Sequence, residues 1–329
     1  MTTLVTGASG QVGSSLVHAL CQRGEKVRVL LRDGSWHPLL KDLEVEVLRG
    51  NLLNAGDIDT AVQGCEKVFH VAGSISYLPQ DRWQMMQVNV HATDLLVHAA
   101  LKHGVKKFVH TSSTAALGYT QRPELLDESA RLTGSLKQVA YLHTKALAEK
   151  RIQHGVNRGL VACMVNPSTI LGPGDIKGNS QNMYAQVKSG RVMCPPGGTA
   201  IVSLPRVIEG HLKAMDTLNT HNTGERYILS SFNWPFERVF QEIARATGQK
   251  SPQMLALPRS LKPIMKAAAR ASARLKPALG LSGEVIDFSF GYRYYNSQKA
   301  QQHLPWEPDT LESMHAALRA AHVFYSDTL

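Results

Sequence analysis

Three glycines just behind the first strand constrain this chain more than any other feature in it. Thr2-Thr3-Leu4-Val5-Thr6 reads as a short strand, and Gly7-Ala8-Ser9-Gly10-Gln11-Val12-Gly13 carries it directly into a helical pattern over Gln11–Arg23. Gly7 permits the tight turn, Gly10 lets the backbone approach an anion, and Gly13 lets helix and strand pack closely. The helix then opens with unpaired N–H groups, so Ser9, Gln11 and Val12 join the three glycines as candidate contacts to a pyrophosphate. The spacing is G-x-x-G-x-x-G, not the commoner G-x-G-x-x-G.

Behind that corner, short apolar runs alternate with helical spacing. Strands are expected at Thr3–Thr6, Lys26–Leu31, Val45–Leu48, Val68–Val71, Lys107–His110 and Leu160–Val165. Helices are expected at about Gln11–Arg23, Ile58–Gln63, Trp83–His103, Val139–His154 and Pro205–Asp216. Near-continuous apolar strands such as Val27-Arg28-Val29-Leu30-Leu31 suit a sheet covered on both faces. The expected fold is α/β: a Rossmann-type doubly wound parallel sheet with a smaller, partly interleaved C-terminal substrate domain. Residues 1–170 would bind the dinucleotide. Residues 171–329 would mainly bind substrate, returning a strand at Arg226–Ser230 and helices to the first domain.

Composition removes other classes. Of 329 residues, 43% are apolar and 19% charged, as in soluble globular proteins. No apolar run approaches the roughly 20 residues that span a bilayer, and Met1 leads straight into the strand, so a cytoplasmic protein without a secretory signal is expected. Cys21, Cys65, Cys163 and Cys194 are scattered, which favours reduced thiols over a disulfide framework or metal site. The net charge of +10 is local: no acid falls between Glu242 and Glu284, where Arg245, Lys250, Arg259, Lys262, Lys266, Arg270, Arg274 and Lys276 accumulate. A basic helix over 259–276 with a modest apolar side could lie on anionic lipid, cover a substrate, or simply be solvated. Aromatic interleaving suited to nucleic acid is missing, so the expected partner is a small molecule.

Tyr141 and Lys145 lie four residues apart, one turn along a helix. An ammonium close to a phenol favours the phenolate, and such a phenol can donate a proton to a carbonyl oxygen or remove one from an alcohol. Lys145 would also hold ribose hydroxyls, and Ser113, at a strand end, would hydrogen-bond the reacting oxygen. The second strand ends Leu30-Leu31-Arg32-Asp33, so Arg32 stands where a cation would pair with a ribose 2′-phosphate. This favours NADP, with NAD kept open by Asp33. Asn51, followed by Leu52, is placed to meet the adenine edge or to shape a turn. His70, His110 and His143 flank these motifs and are read as strand-end or surface histidines. Tyr77, Trp83, Met85 and Met86 could grip an apolar substrate or pack in the core.

Val5-Thr6-Gly7-Ala8-Ser9-Gly10, Val68-Phe69-His70-Val71-Ala72-Gly73, Val109-His110-Thr111-Ser112-Ser113 and Asn166-Pro167-Ser168-Thr169-Ile170-Leu171-Gly172-Pro173-Gly174-Asp175 together carry a family resemblance. The chain resembles an extended short-chain dehydrogenase/reductase of the NAD-dependent epimerase/dehydratase group. Within it, the match is to dihydroflavonol reductase-like and 3β-hydroxysteroid dehydrogenase-like members and to hopanoid-associated sugar epimerases. The resemblance implies that Val71, Ala72 and Gly73 border the cofactor and that Pro167, Ser168 and Thr169 lie against the nicotinamide. It matches Asn89 to an asparagine near the active site, and implies a homodimer joined through helices Trp83–His103 and Val139–His154. Three departures stand out: His91 replaces a usual glycine, Asn51 replaces a common aspartate, and Val202-Ser203-Leu204-Pro205-Arg206 lacks both acids of the family's segment.

The leading expectation is an NADP-preferring oxidoreductase acting on a ketone and secondary alcohol. Its alternatives are a nucleotide-sugar epimerase or dehydratase with retained NAD, and a dinucleotide-sensing protein without turnover.

Overall fold

The computed structural model describes residues 1–32, 40–175, 181–275 and 282–326. Asp33 and Lys276, and the side chain of Arg274, lie outside the described residues.

Seven strands form one wholly parallel sheet in the order β3-β2-β1-β4-β5-β7-β11. They are β1 (Thr2–Thr6), β2 (Lys26–Leu31), β3 (Val45–Arg49), β4 (Cys65–His70), β5 (Lys107–Thr111), β7 (Ala162–Pro167) and β11 (Arg226–Leu229). Strand order reverses beside β1, and in such sheets the crevice at the strands' carboxyl ends is where a ligand sits. A second sheet, ordered β12-β10-β14-β6, joins β6 (Leu125–Leu126), β10 (Gly198–Ser203), β12 (Phe232–Pro235) and β14 (Tyr292–Tyr295), with β8 (Thr169–Leu171) pairing with β10. A small pair, β9 (Arg191–Cys194) and β13 (Gln253–Ala256), stands apart from both.

Alternation along β1 shows why the main sheet is covered twice. Leu4 enters one core with Ile58, Leu96, Phe108 and Ile152. Val5 enters the other with Leu16, Leu20, Val207 and Trp306. The first core is roofed by α2 (Ala55–Val62), α4 (Ala92–Lys102) and α5 (Ala140–Val156), the second by α1 (Gln11–Gln22) and α7 (Leu204–Thr217). Each fully buried Leu or Ile contributes about 1.5–3 kcal/mol by leaving water. Asn54 starts α2 by accepting from the Gly56 and Asp57 amides at 2.8 and 3.1 Å, a cap typically worth ~1 kcal/mol.

The helix expected unbroken over 83–103 is instead α3 (Arg82–Met85), a π-turn over Met86–His91, and α4. The wider turn holds Asn89 and His91, the position departing from the family's glycine. Such turns often re-aim side chains at functional sites.

The remaining helices are α6 (Gln181–Lys188), α8 (Phe236–Ala246), α9 (Lys262–Leu275), α10 (Gly283–Ser289), α11 (Gln298–His303) and α12 (Leu311–Ser326). The basic helix is α9, and its cations do not all face water: Lys262 and Lys266 both pair with Asp287 of α10. Ile264 is left exposed on α9. The segment lacking the family's acids starts α7, where the Ser203 amide donates to Asp309 at 2.9 Å. A carboxylate from far along the chain therefore serves that corner. Among the described residues, no helix is long and apolar enough to cross a membrane.

Candidate active site

The glycine corner is as tight as its spacing predicts. Gly7 has φ +74°, a conformation L side chains rarely adopt, and a Cβ there would stand 2.6 Å from the Ala72 nitrogen. A Cβ on Gly13 would stand 2.1 Å from the Gly7 carbonyl oxygen. Gly10 precedes α1 with no side-chain cap, so the first N–H groups of the helix have no intrahelical partner. The Gln11 side chain donates to the Gly172 and Pro173 carbonyls, each at 3.0 Å, and ties the corner to the loop after β8. Gln11 therefore has only its backbone to offer an anion at α1.

Ser113, Tyr141 and Lys145 come from two places in the fold. Ser113 follows β5, Tyr141 opens α5, and Lys145 lies one turn further on. Tyr141 and Lys145 are both buried, while Ser113 stays partly accessible. Burial raises the Tyr141 phenol above its ordinary pKa, and the neighbouring Ser113 hydroxyl works against that rise. The lowering of the phenol expected from Lys145 is not found. The Lys145 ammonium instead donates to the Thr111 carbonyl at 3.0 Å, and burial pulls its own pKa down to about 8, a fall the Glu149 carboxylate opposes. A Cβ on Gly73 would meet Lys145 Nζ at 3.2 Å, so the loop after β4 passes directly beside this ammonium.

Positioning groups surround the set. Asn89 accepts from the Ser74 amide at 2.7 Å and donates to the Ser74 carbonyl and Thr144 hydroxyl, clamping the loop after β4 onto α5. His70 ends β4 fully buried between Thr6 and Thr93, 2.8 Å from each hydroxyl. Thr93 donates to the Asn89 carbonyl, so it accepts from His70 Nε2–H, and Thr6 donates to Nδ1. The ring is neutral, its pKa pulled down to about 3 by burial and by Lys145. His110 is equally buried at the end of β5, with neither ring nitrogen partnered. Both are strand-end histidines; His143 is only partly buried.

Around the phenol lies an aromatic wall that the sequence shows only in part. Tyr77 stands edge-on to Tyr141, ring centres 5.8 Å apart, and Phe288 of α10 lies 5.3 Å from Tyr77 and 5.5 Å from Tyr119. Met85 is buried in the same cluster. Trp83 is turned outward, 71% exposed. Tyr119 and Phe288 carry no sequence signal of their own, because they reach the site only through the second sheet and α10.

The outer rim of the crevice is basic. Arg32 follows β2 and is exposed, and its carbonyl accepts from Arg49 at 3.2 Å. Arg49 was missed by sequence reasoning, although β2 and β3 run in register with Leu31 opposite Arg49. The Asn51 side-chain oxygen accepts from the Leu53 amide at 3.0 Å, so it shapes the turn carrying Leu52.

A nicotinamide dinucleotide fits these residues. The turn tolerates no side chain at Gly7 or Gly13, helix α1 offers unmet donors, and the buried Ser168 hydroxyl and Asn166 side-chain oxygen have no partner.

Comparison with known proteins agrees with this geometry. The model of a family described as "NAD dependent epimerase/dehydratase family" matches residues 3–227. A putative dihydroflavonol 4-reductase of Synechocystis sp. is 31% identical over 314 residues, covering 91% of this chain and 88% of that protein. A 3 beta-hydroxysteroid dehydrogenase/Delta 5-->4-isomerase of Mycobacterium tuberculosis is 30% identical over 324 residues, covering 93% and 85%. The crystal structure of gox2253 superposes with a TM-score of 0.82 at 30% identity, covering 99% of this chain and 98% of that one.

Proposed function

The chain belongs to the NAD dependent epimerase/dehydratase family, and from that premise we propose that it interconverts a ketone and a secondary alcohol on a fairly apolar small molecule, with NADP preferred over NAD. The observation that carries the reading is the buried Tyr141 phenol, flanked by Ser113 and walled by Tyr77. Two of its relatives, named as a hydroxysteroid dehydrogenase and a 4-reductase, support the same chemistry.

The bound dinucleotide supplies or takes up the hydride. Gly7, Ser9, Gly10, Gln11, Val12 and Gly13 would hold its pyrophosphate through backbone N–H groups and the α1 dipole. Arg32 would pair with a 2′-phosphate, and its neighbour Arg49 supports that reading. Asn51 and Leu52 would border the adenine. Val71, Ala72 and Gly73 would line the cofactor's inner side, and Pro167, Ser168 and Thr169 would lie against the nicotinamide.

Tyr141 gives its proton to the carbonyl oxygen in reduction and removes it from the alcohol in reverse. Ser113 holds that oxygen and orients the phenol. Lys145 is held by Thr111 with its ammonium beside Gly73, where ribose hydroxyls would pass. A substrate seated against the aromatic wall would displace water, which strengthens each of these polar contacts.

The test is NADPH consumption across a panel of apolar ketones. Net oxidation of NADPH matched by alcohol formation supports the reading. NAD carried tightly through purification, with nucleotide-sugar turnover and no net NADPH consumption, would replace it with an epimerase.

A further inference from the structure

Arg293 is partly buried and has no anionic partner among the described residues. It sits on β14 in register with Thr199 of β10, so the two side chains project from the same face of the second sheet. On that face the Thr199 hydroxyl is 2.8 Å from Thr169, the residue proposed to lie at the nicotinamide. The Arg293 guanidinium stands 3.9 Å over the Phe288 ring and 5.3 Å from Phe236, and the phenols of Tyr77, Tyr295 and Tyr119 lie close enough to act on it electrostatically. Its Nε is buried with no hydrogen-bond acceptor. Among the described residues no carboxylate comes within ion-pair distance of it. Asp287 is taken by Lys262 and Lys266, and Glu284, whose buried Oε2 has no hydrogen-bond partner, makes no ion pair with Arg293.

A guanidinium is always charged at ordinary pH, and burying it without a counter-charge is costly. The contact with the Phe288 ring offsets only part of that cost. The same aromatic rings wall the phenol proposed as proton donor. Arg293, Tyr77 and Phe288 each keep part of their surface accessible.

We propose that Arg293 is the anion clamp of the substrate site and that the substrate carries a carboxylate, held by this guanidinium while its alcohol or ketone oxygen meets Tyr141 and Ser113. The proposal rests on the ketone–alcohol reading above and narrows its substrate to apolar hydroxy or oxo acids. A planar carboxylate matches the paired donors of one arginine. A diphosphate carries more charge than one cation balances, and an aromatic wall is a poor replacement for its water.

The probes are 3-hydroxyoctanoate, 5-hydroxyoctanoate and their methyl esters, oxidised with NADP, together with octanoate binding to the cofactor-loaded protein by calorimetry. The wild type should favour at least one acid over its ester by about tenfold or more in kcat/KM. In Arg293→Gln that ratio should collapse to near one, and octanoate binding should weaken about a hundredfold, as expected when one partner of a buried charge pair is removed. Arg293→Lys should fall between. If Arg293→Gln does not fold, the acid-to-ester ratios of the wild type and Arg293→Lys decide. A wild type that ignores the carboxylate, an unchanged ratio in the variant, or displacement of bound octanoate by UDP but not by hexanoate would overturn the clamp. If no alcohol or ketone is turned over, the ketone–alcohol reading has failed. Octanoate binding then decides the clamp alone: retained by wild type and lost in Arg293→Gln, it stands; absent from both, it falls.

Discussion

Asn166 donates its side-chain amide to the Glu149 carboxylate at 2.6 Å, joining β7 to α5 inside the fold. The same carboxylate takes the Ser112 hydroxyl at 2.6 Å and the Arg226 guanidinium at 3.1 Å, and the Asn166 amide also reaches the Ser113 carbonyl. An acid one turn beyond Lys145 thus fixes the strand end that carries Ser113.

Glu149→Ala should lower the unfolding free energy by about 3–5 kcal/mol, because it leaves Arg226 buried without its partner. Urea denaturation measures this, and adding Arg226→Met should recover part of the loss. A single variant as stable as the wild type would show that the buried pair is not part of the scaffold.

Gly13→Ala should abolish dinucleotide binding at concentrations that saturate the wild type. Its Cβ would lie 2.1 Å from the Gly7 carbonyl oxygen, so helix α1 would have to move away from the turn. Quenching of intrinsic fluorescence by NADPH reads the outcome; unchanged affinity would mean the corner does not hold the phosphates.

The ratio of NADH to NADPH dissociation constants should fall toward one in Arg32→Ala, and further when Arg49→Ala is added. Each charge-assisted contact to a phosphate is worth about 1.5–3 kcal/mol. A ratio indifferent to both substitutions would remove the NADP preference.

Acid should unfold this protein early. Burial pulls the pKa of His70 down to about 3 and that of His211 to about 4, while the unfolded chain takes up protons near pH 6.5. The sign follows: these groups stabilise the fold fully above about pH 6.5, and the contribution is lost as pH falls toward the folded values, at ~1.4 kcal/mol per group per pH unit. Urea midpoints measured from pH 7 to pH 4.5 should decline, and less steeply in His211→Gln. An equal slope in the variant would contradict this origin.

Much of this was legible in the residues themselves. The main sheet, its helices and the glycine corner follow from local periodicity and from steric needs of the turn, which sequence states directly. Tyr141, Lys145 and Ser113 were singled out from helical spacing and a strand end, and the fold brings Ser113 beside the Tyr141 phenol. The π-turn at Met86–His91 was hidden, since its apolar spacing resembles an ordinary helix. For Tyr141 the sequence shows the nearby ammonium, whereas the burial that raises the phenol appears only in the fold. Tyr119, Phe288, Arg293 and Arg49 escaped notice because each reaches the site through pairing between strands or helices distant in sequence.

The central claim is that Tyr141 delivers the proton. Tyr141→Phe keeps the ring and its packing against Tyr77 and removes only the hydroxyl. Steady-state ketone reduction by this variant, measured beside its NADPH dissociation constant, is the direct test. The account predicts kcat lower by about a hundredfold to ten-thousandfold, the usual worth of a positioned acid, with cofactor affinity within about threefold of the wild type. Turnover within a few-fold of the wild type at unchanged cofactor affinity would contradict it.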